Sequence, residues 1–168
     1  MALNTLHDLY VEQLRDLYSA ETQLVEALPA MASAASHDSL RAAFHDHLEE
    51  TQQHVIRLEQ VFIGLGVAPG GETCEGMKGL LKEAHAVVGV GGDPAVRDAA
   101  LIAAAQRVEH YEIAGYGTVS ALADQLDLDE AKDMLDRTLD EEGKADKLLT
   151  KLASGGLLRH GITKDAAR

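Results

Sequence analysis

The sequence predicts an all-α protein, a bundle of four long helices arranged as two hairpins joined by a long crossover that contains a short helix. Three observations carry this. Apolar residues recur at helical spacing along four long stretches, alternating strand-like runs of Val, Ile and Thr are missing, and a segment rich in Gly, Pro and Thr interrupts the middle of the chain. Ala, Leu, Glu and Asp dominate a composition with only three prolines and no tryptophan, which favours helix over sheet.

The first helix is expected from Leu3 to about Ala34. Leu6, Leu9, Tyr10, Leu14, Leu17, Leu24 and Leu28 keep its apolar register, Asn4 or Thr5 serves as N-cap, and Pro29 should kink or shorten the last turn. Asp38 is placed to cap the second helix, whose Leu40, Phe44, Leu48, Val55, Leu58 and Phe62 share a face up to Gly64 or Gly66. The crossover runs from Val67 through a short helix at Met77–Val88 to a breaker at Gly89–Asp93. Asp93-Pro94 then opens the third long helix as N-cap and first helical residue, and Leu101, Ala105, Val108, Ile113, Val119 and Leu122 continue it. The fourth begins near Asp129 and carries Met134, Leu135, Leu148, Leu149 and Leu152 to Gly155. One domain, residues 1–155, is expected, followed by a short, loosely ordered C-terminal tail at 156–168. Two hairpins joined by one long crossover is the connectivity of ferritin-like four-helix bundles.

The charge balance narrows the partners. Twenty-eight acidic against fifteen basic residues give a formal charge of −13, spread along the chain, which repels phosphate backbones and anionic lipid surfaces. Neither nucleic acid nor membrane is an expected partner. With no apolar run long enough to span a bilayer and no signal-peptide pattern at the N-terminus, a cytoplasmic protein is expected. Cys74, the single cysteine, reads as an incidental thiol. Gly89–Gly92 is a turn with no phosphate-loop lysine, and nothing suggests nucleophilic hydrolysis.

The chemistry lies in carboxylates on the wrong faces. Glu21 falls in line with Leu14, Leu17, Leu24 and Leu28; Glu142 lies among Leu135, Thr138, Ala145 and Leu149; Glu112 lies among Ala105, Val108 and Val119. Burying such groups together is costly unless protons or cations neutralise them. The two halves also echo one another. Leu48-Glu49-Glu50-Thr51-Gln52-Gln53-His54 parallels Asp140-Glu141-Glu142-Gly143-Lys144-Ala145-Asp146, and Glu21 precedes Glu50 by nearly the same distance as Glu112 precedes Glu142. Glu50 borders its apolar face between His47 and His54, and Glu109 shares a face with Glu112. The candidate metal ligands are therefore Glu21, Glu50, His54, Glu109, Glu112, Glu142 and Asp146. His47 and His110 read as ordinary partly buried histidines, and Glu49 and Glu141 as solvent-facing. Bridging carboxylates with imidazole, without clustered thiolates, suit two divalent ions, iron in preference to manganese. The competing reading keeps the carboxylates as a hydrogen-bonded polar core in a non-catalytic structural or stress protein.

The segments Asp16-Leu17-Tyr18-Ser19-Ala20-Glu21, His47-Leu48-Glu49-Glu50-Thr51, Arg97 to Gln106 and Val108-Glu109-His110-Tyr111-Glu112-Ile113-Ala114-Gly115-Tyr116-Gly117-Thr118 closely resemble the YciE/YciF family of bacterial ferritin-like proteins. The resemblance covers nearly the whole chain up to the tail. It implies a rubrerythrin-like bundle, often a homodimer, with a dimetal site and an association with stress responses, and it brings no defined reaction. The Glu-x-x-His of the wider ferritin-like superfamily is broken here, because Gln53 and Ala145 stand where the histidines would be.

Overall fold

In the computed structural model, which describes residues 3–71, 73–156 and 159–167, the chain forms six helices: α1 (Leu6–Ala34), α2 (Asp38–Leu65), α3 (Glu75–Val88), α4 (Pro94–Gln125), α5 (Asp129–Ser154) and α6 (Ile162–Ala166). Each boundary has a local cause. Thr5 caps α1 reciprocally, its hydroxyl accepting from the Asp8 amide and the Asp8 carboxylate accepting from the Thr5 amide, both at 3.0 Å. The helix continues past Pro29 to Ala34. His37, not Asp38, is the N-cap of α2: its extended backbone lets Nδ1 accept from the Ser39 amide, while Asp38 sits inside the first turn paired with Arg41 at 2.7 Å. Gly66 ends α2 in a left-handed conformation, φ 68°. Asp93 caps α4 by accepting from the Ala95 and Val96 amides, with Pro94 following it.

The four long helices close a ring in which α1 packs on α2 and α4, and α5 packs on α2 and α4, with α3 lying across α1 and α4. Two apolar clusters fill the interior. One gathers Leu24, Leu28, Phe44, Leu101, Ile102 and Leu149, the other Leu14, Leu17, Leu58, Phe62, Val119 and Leu135. Between them, at mid-length of every long helix, lies a buried polar layer. Gly115 permits the approach of α1 to α4 there, since a Cβ on it would stand 2.7 Å from Leu17 Cδ2.

The segment after α5, expected to be loose, turns back in a two-residue antiparallel pairing of Gly155–Gly156 with Arg159–His160, and α6 packs on α4 and α5 with Ile162 buried. Leu157 and Leu158 lie outside the described residues.

The first hairpin is tied to the second by Asp98, which is buried and accepts from the Ser36 amide (2.9 Å), the Ser36 hydroxyl (2.7 Å) and the His37 amide (2.7 Å). Replacing it by alanine leaves these part-buried donors without their acceptor. Asp98→Ala should cost about 3 kcal/mol and lower Tm by about 6–12 °C for a chain of this size. A calorimetric Tm within about 2 °C of the parent would contradict this account of the hairpin junction.

Candidate metal centre

Six ionisable side chains meet in the polar layer. Glu21 comes from α1, His47 and His54 from α2, Glu109 and Glu112 from α4, and Glu142 from α5, and all six are buried. They form two groups, His47–Glu109–Glu112–Glu142 and Glu21–His54–Glu142, and within each group one ligand atom per residue lies within 4.8 Å of the others. Glu142 belongs to both. His54 Nδ1 stands 2.8 Å from Glu142 Oε1 and 3.3 Å from Glu21 Oε1, and His47 Nε2 stands 3.3 Å from Glu109 Oε1 and 3.9 Å from Glu142 Oε2.

Helix periodicity explains how one turn after another supplies these groups. Residues 47, 51, 54 and 58 recur at heptad-like spacing on the inner face of α2, so His47 and His54 point the same way two turns apart, with Thr51 buried between them and hydrogen-bonded to the His47 carbonyl at 2.8 Å. Glu50 is rotated about 100° from Thr51 and falls at the surface, its side chain 51% exposed and 3.8 Å from His47 Nδ1. Asp146 is also outside the layer. It accepts from Gln106 at 3.0 Å and lies 3.3 Å from His110, whose side chain is exposed.

Of the expected ligands, then, the fold brings together Glu21, His54, Glu109, Glu112 and Glu142, and leaves Glu50 and Asp146 apart. His47, read from the sequence as ordinary, joins the cluster; its signal was the seven-residue spacing to His54. Glu141, expected to face solvent, is mostly buried beside the layer. It accepts from His54 Nε2 at 3.1 Å and is gripped by both terminal nitrogens of Arg57, at 2.5 and 3.1 Å. Burial opposes ionisation of Glu141, but Arg57, Arg137 and His54 hold its carboxyl below the ordinary range. An ionised Glu141 can only accept, so Nε2 carries the proton and Nδ1 is the nitrogen turned toward Glu21 and Glu142. Such outer carboxylates orient metal-binding imidazoles. Tyr116, fully buried, donates to Glu21 Oε1 at 2.5 Å and fixes that carboxylate from the other side.

Much of this polar surface meets only other members of the cluster, as ion pairs without hydrogen-bond geometry. Both oxygens of Glu112 and of Glu142, Glu21 Oε2, Glu109 Oε2, both ring nitrogens of His47 and His54 Nδ1 are buried without a hydrogen bond. Orphans in this number are unusual for a folded interior. The donor set, four carboxylates and two imidazoles aimed inward, suits hard to borderline divalent ions.

Proton distribution in the metal-free cluster follows from charge crowding. Burial pushes Glu21, Glu109 and Glu112 upward and neighbouring carboxylates add to it, most strongly at Glu109 and Glu112. Burial also opposes charge on Glu142, yet His54 and His47 hold it below the ordinary range. Burial would lower both histidines, but the surrounding carboxylates raise His47 to about 9 and His54 to about 10. Protons thus do part of what cations would do.

The chain matches the family model described as a domain of unknown function, DUF892, over residues 5–162. Protein YciF of Escherichia coli (strain K12) is 46% identical over 154 residues, 91% of this chain and 93% of that protein. Among solved structures, the crystal structure of the E. coli stress protein YciF superposes with a TM-score of 0.86, covering 89% of this chain and 94% of that one at 46% identity. YcfI of Rhodopseudomonas palustris, for which a structural role has been put forward, is equally similar in fold, with a TM-score of 0.86 and 44% identity over 90% of this chain and 96% of that one. A protein of Xanthomonas campestris pv. campestris, at 21% identity over 87% of this chain and 88% of that one, shares the fold with a TM-score of 0.70.

These protonation states set the pH response of metal-free protein. Each histidine holds its proton more tightly folded than unfolded, where its pKa is the ordinary 6.5. Its stabilisation is complete below about that value and is lost as pH rises through about 9 for His47 and about 10 for His54. The raised carboxyls act with the same sign from lower pH upward, whereas depressed Glu142 contributes stability above the ordinary carboxylate range that is lost only on acidification. The Tm of chelator-treated protein should therefore fall between about pH 6.5 and pH 9. A Tm that stays level or climbs across that window would contradict these assignments.

Proposed function

This chain belongs to the YciE/YciF family, whose shared domain is DUF892, and on that premise we propose that it is a dimetal carboxylate protein, binding two divalent ions in the polar layer, iron in preference to manganese. One observation carries the proposal, the number of inward-facing buried ligand atoms without a hydrogen bond, and the count of charges agrees with it. The four buried carboxylates sum to −4 when ionised, the two histidines bring at most +2, and two divalent ions bring +4 with the imidazoles neutral. Two ions neutralise the four ionised carboxylates; protons shared between carboxyls and imidazoles can do the same in metal-free protein, but only ions would also take the orphaned oxygens and ring nitrogens as ligands.

Glu142, common to both groups, would bridge the two ions; Glu21 and His54 would complete one shell, and His47, Glu109 and Glu112 the other. Iron or manganese held there supplies Lewis acidity and one-electron redox chemistry. Tyr116 and Glu141 keep Glu21 and His54 in place, and the apolar layers above and below exclude water. The relation to a stress protein supports a role in a bacterial stress response. The outer face of α2 supports a homodimer, since Ile56 and Ile63 are exposed there beside uncharged Gln52 and Gln60.

Metal analysis of protein purified without chelators should find about two equivalents per chain, and Fe(II) or Mn(II) should raise Tm, because the ions bind the folded state alone. Glu112→Gln separates this from a structural polar core. Burial and the neighbouring carboxylates push Glu112 toward its neutral form without metal, and it makes no hydrogen bond, so an amide of the same shape should leave metal-free stability within about 1 kcal/mol. Its metal content should fall by about half or more. Full metal content together with a destabilised metal-free fold would favour the polar core.

Light scattering should give a homodimer, twice the 18.0 kDa chain. A mass of several hundred kilodaltons, as for a shell, would refute this assembly.

A further inference from the structure

The polar layer is not sealed on every side. Between α2 and α5 a cavity of about 170 Å³ opens at the surface and reaches inward to His47 and Glu109. Its walls are apolar, formed by Phe44 and Ala43 of α2 and Ala145 and Leu149 of α5. Charge is confined to its two ends, with Asp46, Glu50 and Lys144 at the mouth and His47 and Glu109 at the floor.

The floor is unsatisfied. His47 and Glu109 are more than nine-tenths buried, neither ring nitrogen of His47 makes a hydrogen bond, and Glu109 Oε2 has no partner. The mouth carries Glu50, half in water and 3.8 Å from His47 Nδ1, so a single carboxylate touches both solvent and the innermost imidazole on that side. Lys144, also exposed, forms no ion pair among the described residues.

We infer that this cavity is the port through which a divalent cation leaves water for the polar layer, with Glu50 taking the hydrated ion at the mouth and releasing it to His47 and Glu109. The inference rests on the dimetal reading above. At the mouth Asp46 and Glu50 face the one lysine, and the whole chain carries a formal charge of −13, so the potential there favours a cation over an anion; at the floor the ion takes the place of the proton that His47 holds in metal-free protein. Apolar walls offer the ion no resting ligand between the two ends. Glu50 precedes Thr51 by one residue on α2, which keeps its backbone off the inner face, and a side-chain rotation is enough to carry its oxygens between solvent and His47.

The test follows Mn(II) uptake by metal-free full-length protein in stopped flow, with a fluorescent chelator reporting free ion. Glu50→Gln should slow loading by about five- to tenfold while reaching the same endpoint as the parent, and Lys144→Gln should quicken it, both differences shrinking at high salt. Loading of Glu50→Gln at the parental rate would overturn the port. A reduced Mn(II) endpoint in Glu50→Gln would also overturn it, by making Glu50 a ligand of the bound ion. Parent protein that takes up no Mn(II) at all would instead overturn the dimetal reading, and the port would fall with it.

Discussion

The constraint on which the rest of this structure depends is the burial of four carboxylates and two imidazoles in one layer of a four-helix bundle. Each ion removed from water costs several kcal/mol even after relaxation, and mutual repulsion adds to that cost. Much of the surrounding structure can be understood as holding these groups where they are. Apolar clusters above and below clamp the helices, Gly115 lets α1 approach α4, Tyr116 pins Glu21, and the Arg57–Glu141 pair fixes the outer nitrogen of His54. Without metal the layer is carried by displaced protonation, Glu109 and Glu112 pushed toward the neutral form and His47 and His54 toward the charged one. A protein needing only stability would do as well with leucine at these positions, since well-packed apolar residues commonly replace buried ion pairs without loss.

The helical architecture was legible because it is written in long-range periodicity and in local punctuation. Asp93-Pro94, Gly66 and the capping box at Thr5 mark boundaries with little dependence on tertiary context. Glu21, Glu112 and Glu142 were equally readable, each lying squarely in an apolar stripe. Positions at the edge of a stripe were not. Glu50 and His47 differ by three residues on α2, and whether one or the other turns inward depends on the rotation of the helix about its axis, which is set by packing against α1 and α5. Heptad-like spacing of 47, 51, 54 and 58 decides in favour of His47. The symmetry between the halves, which drew attention to Glu50 and Asp146, proved weaker than packing, because the two hairpins use different faces of their matching segments. Glu141 was missed for a related reason. Its neighbour in sequence points into the layer, and it is Arg57 and His54, both from α2, that give it a reason to turn inward with it.

The departure from Glu-x-x-His is compensated in space. His54 comes from one residue beyond Gln53, and His47 from two turns earlier on the same helix, so α2 contributes both imidazoles and α4 both members of the Glu109–Glu112 pair. The donors suit the proposed dimetal site but are distributed differently over the helices. Kinship with the stress protein YciF on one side and with a protein given a structural role on the other leaves the buried ligand atoms without a hydrogen bond as the feature that favours the metal reading.

That reading is tested most directly by anomalous diffraction from crystals grown from Mn(II)-loaded protein, recorded above and below the manganese absorption edge. The account predicts two strong anomalous peaks inside the bundle on either side of the Glu142 carboxylate, one against Glu21 and His54 and the other against His47, Glu109 and Glu112. Anomalous density only at surface carboxylates, with the six buried side chains in contact with one another alone, would contradict it.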